Sequence, residues 1–489
     1  SMSDTEASDV SLGGETAKAT LAKFTMAVAG FVGTIAFARI LGPVGIGGYY
    51  LLMSVVRLST RPIGGLTNSV QKRLSESNFA VGEAMTVTTI AALAWTALNV
   101  GVAYLLRDQL ESFVGFDDAV IAFGALLGAL NLFILYQGAL SATGRIGWTE
   151  WLDTIRSYLT LPAQLALVWL GFGAAGMAYG EAIATVLLLF PLLHSVANFD
   201  RPTWETTRSL WEYAKYSIPN RYLSRVYSEL DLLILGVLLT ETAAGHYGVA
   251  FRLSIPAMFI AMVASSGLFS RVSNLRSKGE PIAEDIHNTL SFTSLFAIPM
   301  LFGGAVLDSQ LVVTLYGAEF GPAAPLLTGL LAYQLVRTQS SPLEKVVGGL
   351  DQPDVVTRVY VVLLVANAVS GVGLTLWLGA VGVVIATVIA EILRYVGLTV
   401  YLRRELPGLS LFPRALIAQL FSGLLMATVL LVLESSVQID SWLILGILVG
   451  GGAVIYFAVL FAVSRRFRNT IFGTLDDMYP AWRDWKGFD

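Results

Sequence analysis

The sequence has no cysteine, little charge and no long polar segment, and each absence removes a class of chemistry. Without cysteine there are no disulfides, no thiolate nucleophile and no sulfur-ligated metal. The three histidines, His194, His246 and His287, stand far apart, and no metal-ligand spacing connects them. No glycine-rich loop ending in lysine is present, so the chain carries no phosphate cradle for hydrolysing a nucleotide. Charged residues make up 13% of the 489 residues, where a soluble domain carries roughly 25%. Lysine is scarcer still, with 7 lysines against 24 arginines in a chain of net charge −4. That acidic, lysine-poor balance points to a halophilic or high-GC source. No metal, cofactor or nucleic acid is expected.

What fills the chain instead is apolar: 55% of residues are hydrophobic and mean hydropathy is +0.68. A soluble core cannot absorb that much, because surface must still face water, and lipid is the remaining solvent. Ser1 and Met2 read as a tag remnant before the native start, and residues 3–16 are polar and acidic, without the apolar core of a signal peptide. A membrane-crossing helix needs about 20 mostly apolar residues, and backbone in lipid must be helical or closed into a barrel. The apolar runs here are continuous rather than alternating, which selects helices.

The fold expected is therefore an all-α integral membrane protein of about fourteen spans, near 16–41, 46–70, 84–106, 119–142, 149–170, 174–197, 209–239, 244–270, 286–308, 323–347, 355–377, 380–402, 412–434 and 440–464. Lysine and arginine collect in alternate loops, at Lys72 and Arg73, Arg145, Arg201 and Arg208, Arg271, Arg276 and Lys278, Lys345 and Arg358, Arg403, Arg404 and Arg414, and Arg465, Arg466 and Arg468. The intervening loops hold little beyond Arg39 and Arg107, and one is acidic (Asp108, Glu111, Asp117, Asp118). Positive charge marks the cytoplasmic side, so both termini are expected there, with the protein in the cytoplasmic membrane. The tail from 465 on mixes arginine with Phe467, Phe472, Tyr479, Trp482 and Trp485, the pattern of an interfacial anchor.

A weak repeat runs through the chain at an offset of about 200 residues. Gly47-Gly48-Tyr49 opens the second span and Gly245-His246-Tyr247 the eighth, while Trp169-Leu170-Gly171 precedes the sixth and Trp377-Leu378-Gly379 the twelfth. Six spans per repeat, an even number, make the two halves parallel, an arrangement suited to alternating access. The expected organisation is a tail (1–15), an N-lobe of spans one to six (16–197), a C-lobe of spans seven to twelve (198–403), two further spans (404–465) and the interfacial tail (466–489).

Charges inside the bilayer are costly, so each needs a reason. Asp153/Arg156 and Glu391/Arg394 at i,i+3 and Arg225/Glu229 at i,i+4 have the spacing of pairs within one helix. Others lack a local partner. At about 1.5 Å per residue from the span ends, Arg57 and Arg221 fall near mid-depth. Arg61 and Arg337 lie toward the inner side, and Arg252 about a third of the way in from outside. Arg57 and Arg61 share a helical face that Asn68 and Lys72 extend, and Arg221 and Arg225 follow Pro219, where a kink is expected. Two readings remain open for these arginines. They pair with carboxylates on other spans, such as Glu181, Asp231 or Glu344, or they line a water-filled cavity that would suit an anion, phosphate above all.

Three stretches resemble the oligosaccharide (polysaccharide biosynthesis) flippase branch of the multidrug/oligosaccharidyl-lipid/polysaccharide exporter superfamily. They are Phe37-Ala38-Arg39-Ile40-Leu41-Gly42-Pro43 with Gly45 to Tyr49, then Asp231 to Gly236 with Gly245-His246-Tyr247 and Ala250-Phe251-Arg252, and finally Leu315 to Phe320 with Ala323 to Leu327. The resemblance covers the chain in span count and order. It implies two six-helix lobes in a V shape, two additional spans, and a cationic cavity lined by spans one, two, seven and eight. Arg57, Arg61, Arg221, Arg225 and Arg252 would line that cavity, with Arg337 on span ten less directly placed. The cargo implied is a polyprenyl- or dolichyl-(pyro)phosphate-linked oligosaccharide, and membrane lipid and glycan assembly machinery are the implied partners of a monomer. Glu181, Asp231 and Glu391 are the candidate ion-coupling acids, with a structural role as the simpler alternative for each. No catalytic residue is expected. The competing readings are a multidrug/cation antiporter of the same superfamily and a membrane-embedded glycan or lipid transferase.

Overall fold

The computed structural model describes residues 12–74, 80–143, 145–196, 199–350, 353–406, 413–437 and 441–478. Among them the backbone is helical almost throughout and contains no strand. Ten helical segments are long and apolar enough to cross a membrane: Gly30–Ser59, Val81–Leu105, Ala119–Ala142, Gly147–Val196, Glu241–Lys278, Ala297–Tyr316, Val355–Leu378, Ala380–Glu405, Arg414–Glu434 and Trp442–Val463. This is a multi-pass membrane protein. The count of ten is lower than about fourteen because two runs each take in two expected spans and two more spans do not qualify. Gly30–Ser59 runs across expected spans one and two with a kink at Gly42, Gly147–Val196 joins spans five and six, and the helices carrying spans seven and ten are too polar by composition.

The chain divides into two compact units, Ser1–Gly245 and His246–Asp489. The first contains α1 (Leu12–Ser59), α2 (Arg61–Leu74), α3 (Val81–Leu105), α4 (Arg107–Val114), α5 (Ala119–Ala142), α6 (Ile146–Leu167), α7 (Gly173–Val196) and α8 (Trp204–Leu238), and ends within α9 (Glu241–Ser254). The seventh expected span, α8, thus belongs to the first compact unit by its packing, whereas the sequence places it at the head of the C-lobe. Its principal neighbour is α2. Ile63 and Val70 of α2 lie in the same core as Phe133, Tyr136, Leu188, Leu192 and Leu210.

The second unit contains α10 (Phe259–Lys278), α11 (Ala283–Phe292), α12 (Ala297–Tyr316), α13 (Ala324–Gly349), α14 (Pro353–Leu378), α15 (Ala380–Glu405), α16 (Arg414–Glu434), α17 (Trp442–Val463) and α18 (Arg465–Met478). One core joins α10, α11, α13 and α15 through residues such as Val272, Leu290, Val346 and Leu398, and another joins α12, α16 and α17 through Ile298, Leu307, Met426, Leu430 and Tyr456. Lipid tails are as apolar as leucine, so packing and hydrogen bonds rather than water exclusion hold such helices together. Gln419 supplies one such bond pair, accepting from Ser294 Oγ at 2.7 Å and donating to the Ser291 carbonyl at 2.8 Å.

Three boundaries differ from the sequence reading. The second expected span is divided at Thr60 into α1 and α2, where Pro62 lacks the N–H that would continue the ladder. The ninth was expected at 286–308. Its helix turns at 293–296 and then runs through Asp308 to Tyr316, with that carboxylate accepting from Ser309 N at 2.6 Å and Thr328 Oγ1 at 3.0 Å. The helix is kinked just before this acid, at Leu307 (φ −108°, ψ 17°). Pro219, expected to kink span seven, sits inside a continuous α8.

Both Trp-Leu-Gly stretches of the repeat end on a glycine of positive φ, Gly171 (φ 94°, ψ 9°) and Gly379, but the conformation of Gly379 recurs two residues later in the first half, at Gly173. Gly173 (φ 54°, ψ −138°) and Gly379 (φ 63°, ψ −145°) precede or open α7 and α15 in the same left-handed conformation, which a side chain would strain. Trp169 and Trp377 are both exposed, as belt residues at a membrane surface are. The described part of the tail is the helix α18. Arg468 caps α17 through the Phe461 and Ala462 carbonyls at 2.9 and 2.7 Å, and Phe467 stacks on Phe457. Tyr479, Trp482 and Trp485 lie outside the described residues.

Gly65 sets the spacing of the α2–α8 contact on which the site below depends. A Cβ added there would lie 2.8 Å from Ile218 Cα and 2.9 Å from Ile218 N, both backbone atoms that cannot turn aside. Gly65→Leu is therefore expected to cost about 1–3 kcal/mol of stability by overpacking. A fall in the thermal midpoint of the detergent-solubilised protein checks it.

Candidate substrate-binding site

Four charged side chains meet where α1, α2 and α8 approach. Arg57 stands in the last turn of α1, Arg61 begins α2 just past Thr60, and Arg225 and Glu229 are one turn apart on α8. Glu229 Oε1 accepts Arg225 Nη2 at 2.5 Å and lies 3.6 Å from Arg57 Nη1. The charge of Arg61 acts on both Arg225 and Glu229. Arg57 and Arg225 thus share one carboxylate, and these three groups carry a net +1.

Exposure within the cluster is graded. The Glu229 side chain is 4% exposed, Arg225 22% and Arg57 41%. The carboxylate is sunk behind the guanidiniums, and Arg57 turns much of its surface outward. Guanidinium donors in a fixed fork, partly desolvated and in cationic excess, suit a phosphate or pyrophosphate group through charge-assisted and bidentate hydrogen bonds.

Only Thr60 separates Arg57 on α1 from Arg61, Asn68 and Lys72 on α2, with i→i−4 bonds from Thr60 N to the Val56 carbonyl and from Gly64 N to the Thr60 carbonyl. Side chains tie α2 to α8: Asn68 Nδ2 donates to Ser217 Oγ at 3.1 Å and Arg73 Nη2 to the Ser209 carbonyl at 3.4 Å. Glu229 was legible as the local partner of Arg225. Its second role, toward Arg57, was not, because nothing in local spacing shows which distant helix α8 will meet.

The other expected site residues lie elsewhere. The Arg221 side chain falls outside the described residues. Arg252, on α9, is half-buried in the second unit. Arg337 contributes to a different cluster there, donating to Tyr333 Oη with its guanidinium 5.6 Å from that ring. In the same cluster Arg394 binds Glu344, lies 3.5 Å from Glu391 Oε2 and donates to Tyr360 Oη at 2.7 Å, and Ser340 donates to Glu391. Two arginines and two glutamates balance, so this cluster has no anion-seeking surplus.

Of the candidate coupling acids, Glu391 is fully buried in that cluster. Glu181 accepts from Tyr49 Oη at 2.7 Å and lies 3.8 Å from Arg156 Nη1, while Asp153 holds the same arginine at 2.9 Å. Gln164 extends the group by donating to Tyr49 Oη at 3.2 Å and to the Met177 carbonyl at 2.9 Å. Glu181 thus joins α1, α6 and α7. Asp231 is buried on α8 two residues beyond Glu229. All three spacing-based pairs, Asp153/Arg156, Arg225/Glu229 and Glu391/Arg394, are formed.

The sequence pattern of a family described as "Polysaccharide biosynthesis protein" matches residues 36–325, more than half of the chain. The "Probable low-salt glycan biosynthesis flippase Agl15" of Haloferax volcanii is 28% identical over 364 residues, covering 74% of this chain and 77% of that protein. The "Probable flippase AglR" of the same organism is 26% identical over 455 residues, covering 90% of this chain and 94% of its own length. Among solved structures, the inward closed conformation of the lipid II flippase MurJ superposes with a TM-score of 0.76 at 16% identity, over 92% of this chain and 99% of that one. An inward-facing multidrug resistance transporter of the MATE family gives 0.63 at 14% identity, over 78% and 95%. At these identities the two structures speak to the fold.

Proposed function

The chain belongs to the polysaccharide biosynthesis protein family, and from that premise we propose that it is a flippase, moving a polyprenyl- or dolichyl-(pyro)phosphate-linked oligosaccharide across the membrane. The observation that carries the reading is the convergence of two arginines, Arg57 and Arg225, on the one buried carboxylate of Glu229, an excess of arginine over acid at that contact. An ion in the membrane interior is retained where it has a task, and a surplus of guanidinium is matched by an anionic cargo group. The name of one Haloferax volcanii relative supports a glycan cargo, and that of the other supports flipping.

In this reading the arginines hold the phosphate or pyrophosphate, the sugar occupies a polar, water-filled space, and the prenyl tail stays in lipid. Fourteen spans with both termini cytoplasmic, arranged as two parallel six-span lobes and two further spans, present the site first to the cytoplasmic side and then to the outside. The protein acts as a transporter rather than an enzyme, so the sugar–phosphate linkage leaves as it entered. Arg252 and Arg221 are additional contacts of the head group in this proposal, and Arg337 is a stabilising residue.

Deletion of the gene in its own host tests the function. The expected result is loss of surface glycan with accumulation of the lipid-linked oligosaccharide in the inner leaflet, and complementation by the intact chain. Normal surface glycan together with hypersensitivity to cationic drugs would instead favour the antiporter, against which the arginine excess argues.

A further inference from the structure

We propose that Glu229 is a resident counter-ion that the cargo phosphate displaces, so that it sets how tightly the site holds its cargo and lets the cargo leave. The proposal rests on the phosphate-binding reading of Arg57 and Arg225, and concerns how that site is regulated.

Three observations carry it. The two arginines converge on one carboxylate oxygen, Oε1, Arg225 at 2.5 Å and Arg57 at 3.6 Å. A carboxylate oxygen receiving two guanidiniums occupies the place that a phosphate oxygen would take, with the same donors and the same charge sign. The grip is uneven, with the long contact on the more exposed partner: the Arg57 side chain is 41% exposed and the Glu229 side chain 4%. Arg57 can therefore turn to an incoming anion while Glu229 keeps Arg225 neutralised.

The charge balance decides between this role and a purely structural one. Arg57, Arg225 and Glu229 together carry +1, and a pyrophosphate group brings more negative charge than that surplus. Once cargo is bound, Glu229 is a like charge beside the phosphate, and its repulsion lowers cargo affinity. A carrier gains from that repulsion, because a site that holds equally tightly at every stage binds without releasing. When cargo departs, Glu229 reclaims Arg57 and no bare cation remains in the membrane interior. Neither Glu181 nor Glu391 is placed to do this. Glu181 is tied to Tyr49 and Arg156, and Glu391 to Ser340 and Arg394.

The test uses the full chain in nanodiscs with inorganic pyrophosphate and farnesyl pyrophosphate as probes, comparing wild type with Glu229→Gln, Glu229→Asp, Arg57→Ala and Arg225→Ala. Removing one competing charged partner changes affinity by about tenfold. Glu229→Gln is expected to bind both probes about tenfold more tightly and to flip cargo more slowly, with release from the far side as the slowed step. Glu229→Asp, which keeps the charge on a shorter arm, should fall between Glu229→Gln and wild type and shows the effect of charge if the amide variant folds poorly. If Arg57→Ala and Arg225→Ala weaken binding while Glu229→Gln leaves it unchanged or weakens it, Glu229 is only a scaffold for the arginines, and the counter-ion proposal fails while the phosphate site stands. If neither arginine variant changes binding of either probe, the phosphate site itself fails.

Discussion

Replacing Arg57 and Arg225 together by alanine is expected to reduce flipping of a prenyl-pyrophosphate-linked oligosaccharide in proteoliposomes by at least about a hundredfold. Each arginine offers hydrogen bonds to a charged group, worth about 1.5–3 kcal/mol apiece, and tenfold in an equilibrium corresponds to about 1.4 kcal/mol. Two such losses at one site compound. The double variant also strands Glu229, whose side chain is 4% exposed, and an unpaired buried carboxylate destabilises the fold on its own account. The informative protein is therefore the triple variant Arg57→Ala/Arg225→Ala/Glu229→Gln, in which no buried carboxylate is stranded at position 229. It should elute as folded protein with a near-normal thermal midpoint and still fail to flip. Lysine at the same two positions should recover only part of the rate, since an ammonium cannot make the forked contact. Flipping within a few-fold of wild type in the folded triple variant would remove these arginines from the mechanism.

The second large effect concerns stability. Arg394→Met is expected to destabilise the protein by about 3–5 kcal/mol, the usual cost of removing one partner from a buried ionic network. Arg394 is 4% exposed and is the common partner of Glu344, Glu391 and Tyr360, with Glu391 wholly buried. Methionine fills similar volume and leaves Glu344 and Glu391 without the guanidinium they share. The double variant Arg394→Met/Glu391→Gln, which removes one of those charges, should recover part of the loss. Chemical or thermal unfolding of the purified protein measures both. An Arg394→Met protein as stable as wild type would mean that the cluster carries no structural load, and Glu391 would return as a candidate for ion coupling.

These two clusters show what sequence can carry and where it stops. Helix and span positions follow from apolar runs of about 20 residues, a signal repeated along most of the chain, and most segments were placed within a few residues. Span nine, expected at 286–308, instead turns at 293–296 and continues past a kink at Leu307 to Tyr316, interruptions that an apolar run does not mark. Pairs at i,i+3 and i,i+4 were legible because one helix fixes their geometry. Arg57 with Glu229, Arg394 with Glu344 and Arg156 with Glu181 were not, since each depends on which helices come into contact. Glu181 and Glu344 were proposed as partners for the isolated arginines, and each instead serves an arginine that already had a local acid. Pro62 was in plain view and marks the division before which Arg57 stands. The grouping of α8 with the first unit rests on close packing at Gly65 and the Asn68–Ser217 bond, which no periodicity encodes.

The most direct test of the account is contact between cargo phosphorus and the guanidinium nitrogens. Solid-state NMR on the protein in lipid, with ¹⁵N-labelled arginine and a bound prenyl-pyrophosphate-linked sugar, reads that contact as ³¹P–¹⁵N dipolar dephasing. The account predicts dephasing on arginine side-chain nitrogens that drops in Arg57→Lys and again in Arg57→Lys/Arg225→Lys, with cargo still bound. Dephasing of undiminished size in the double lysine variant would place the phosphate elsewhere and contradict it.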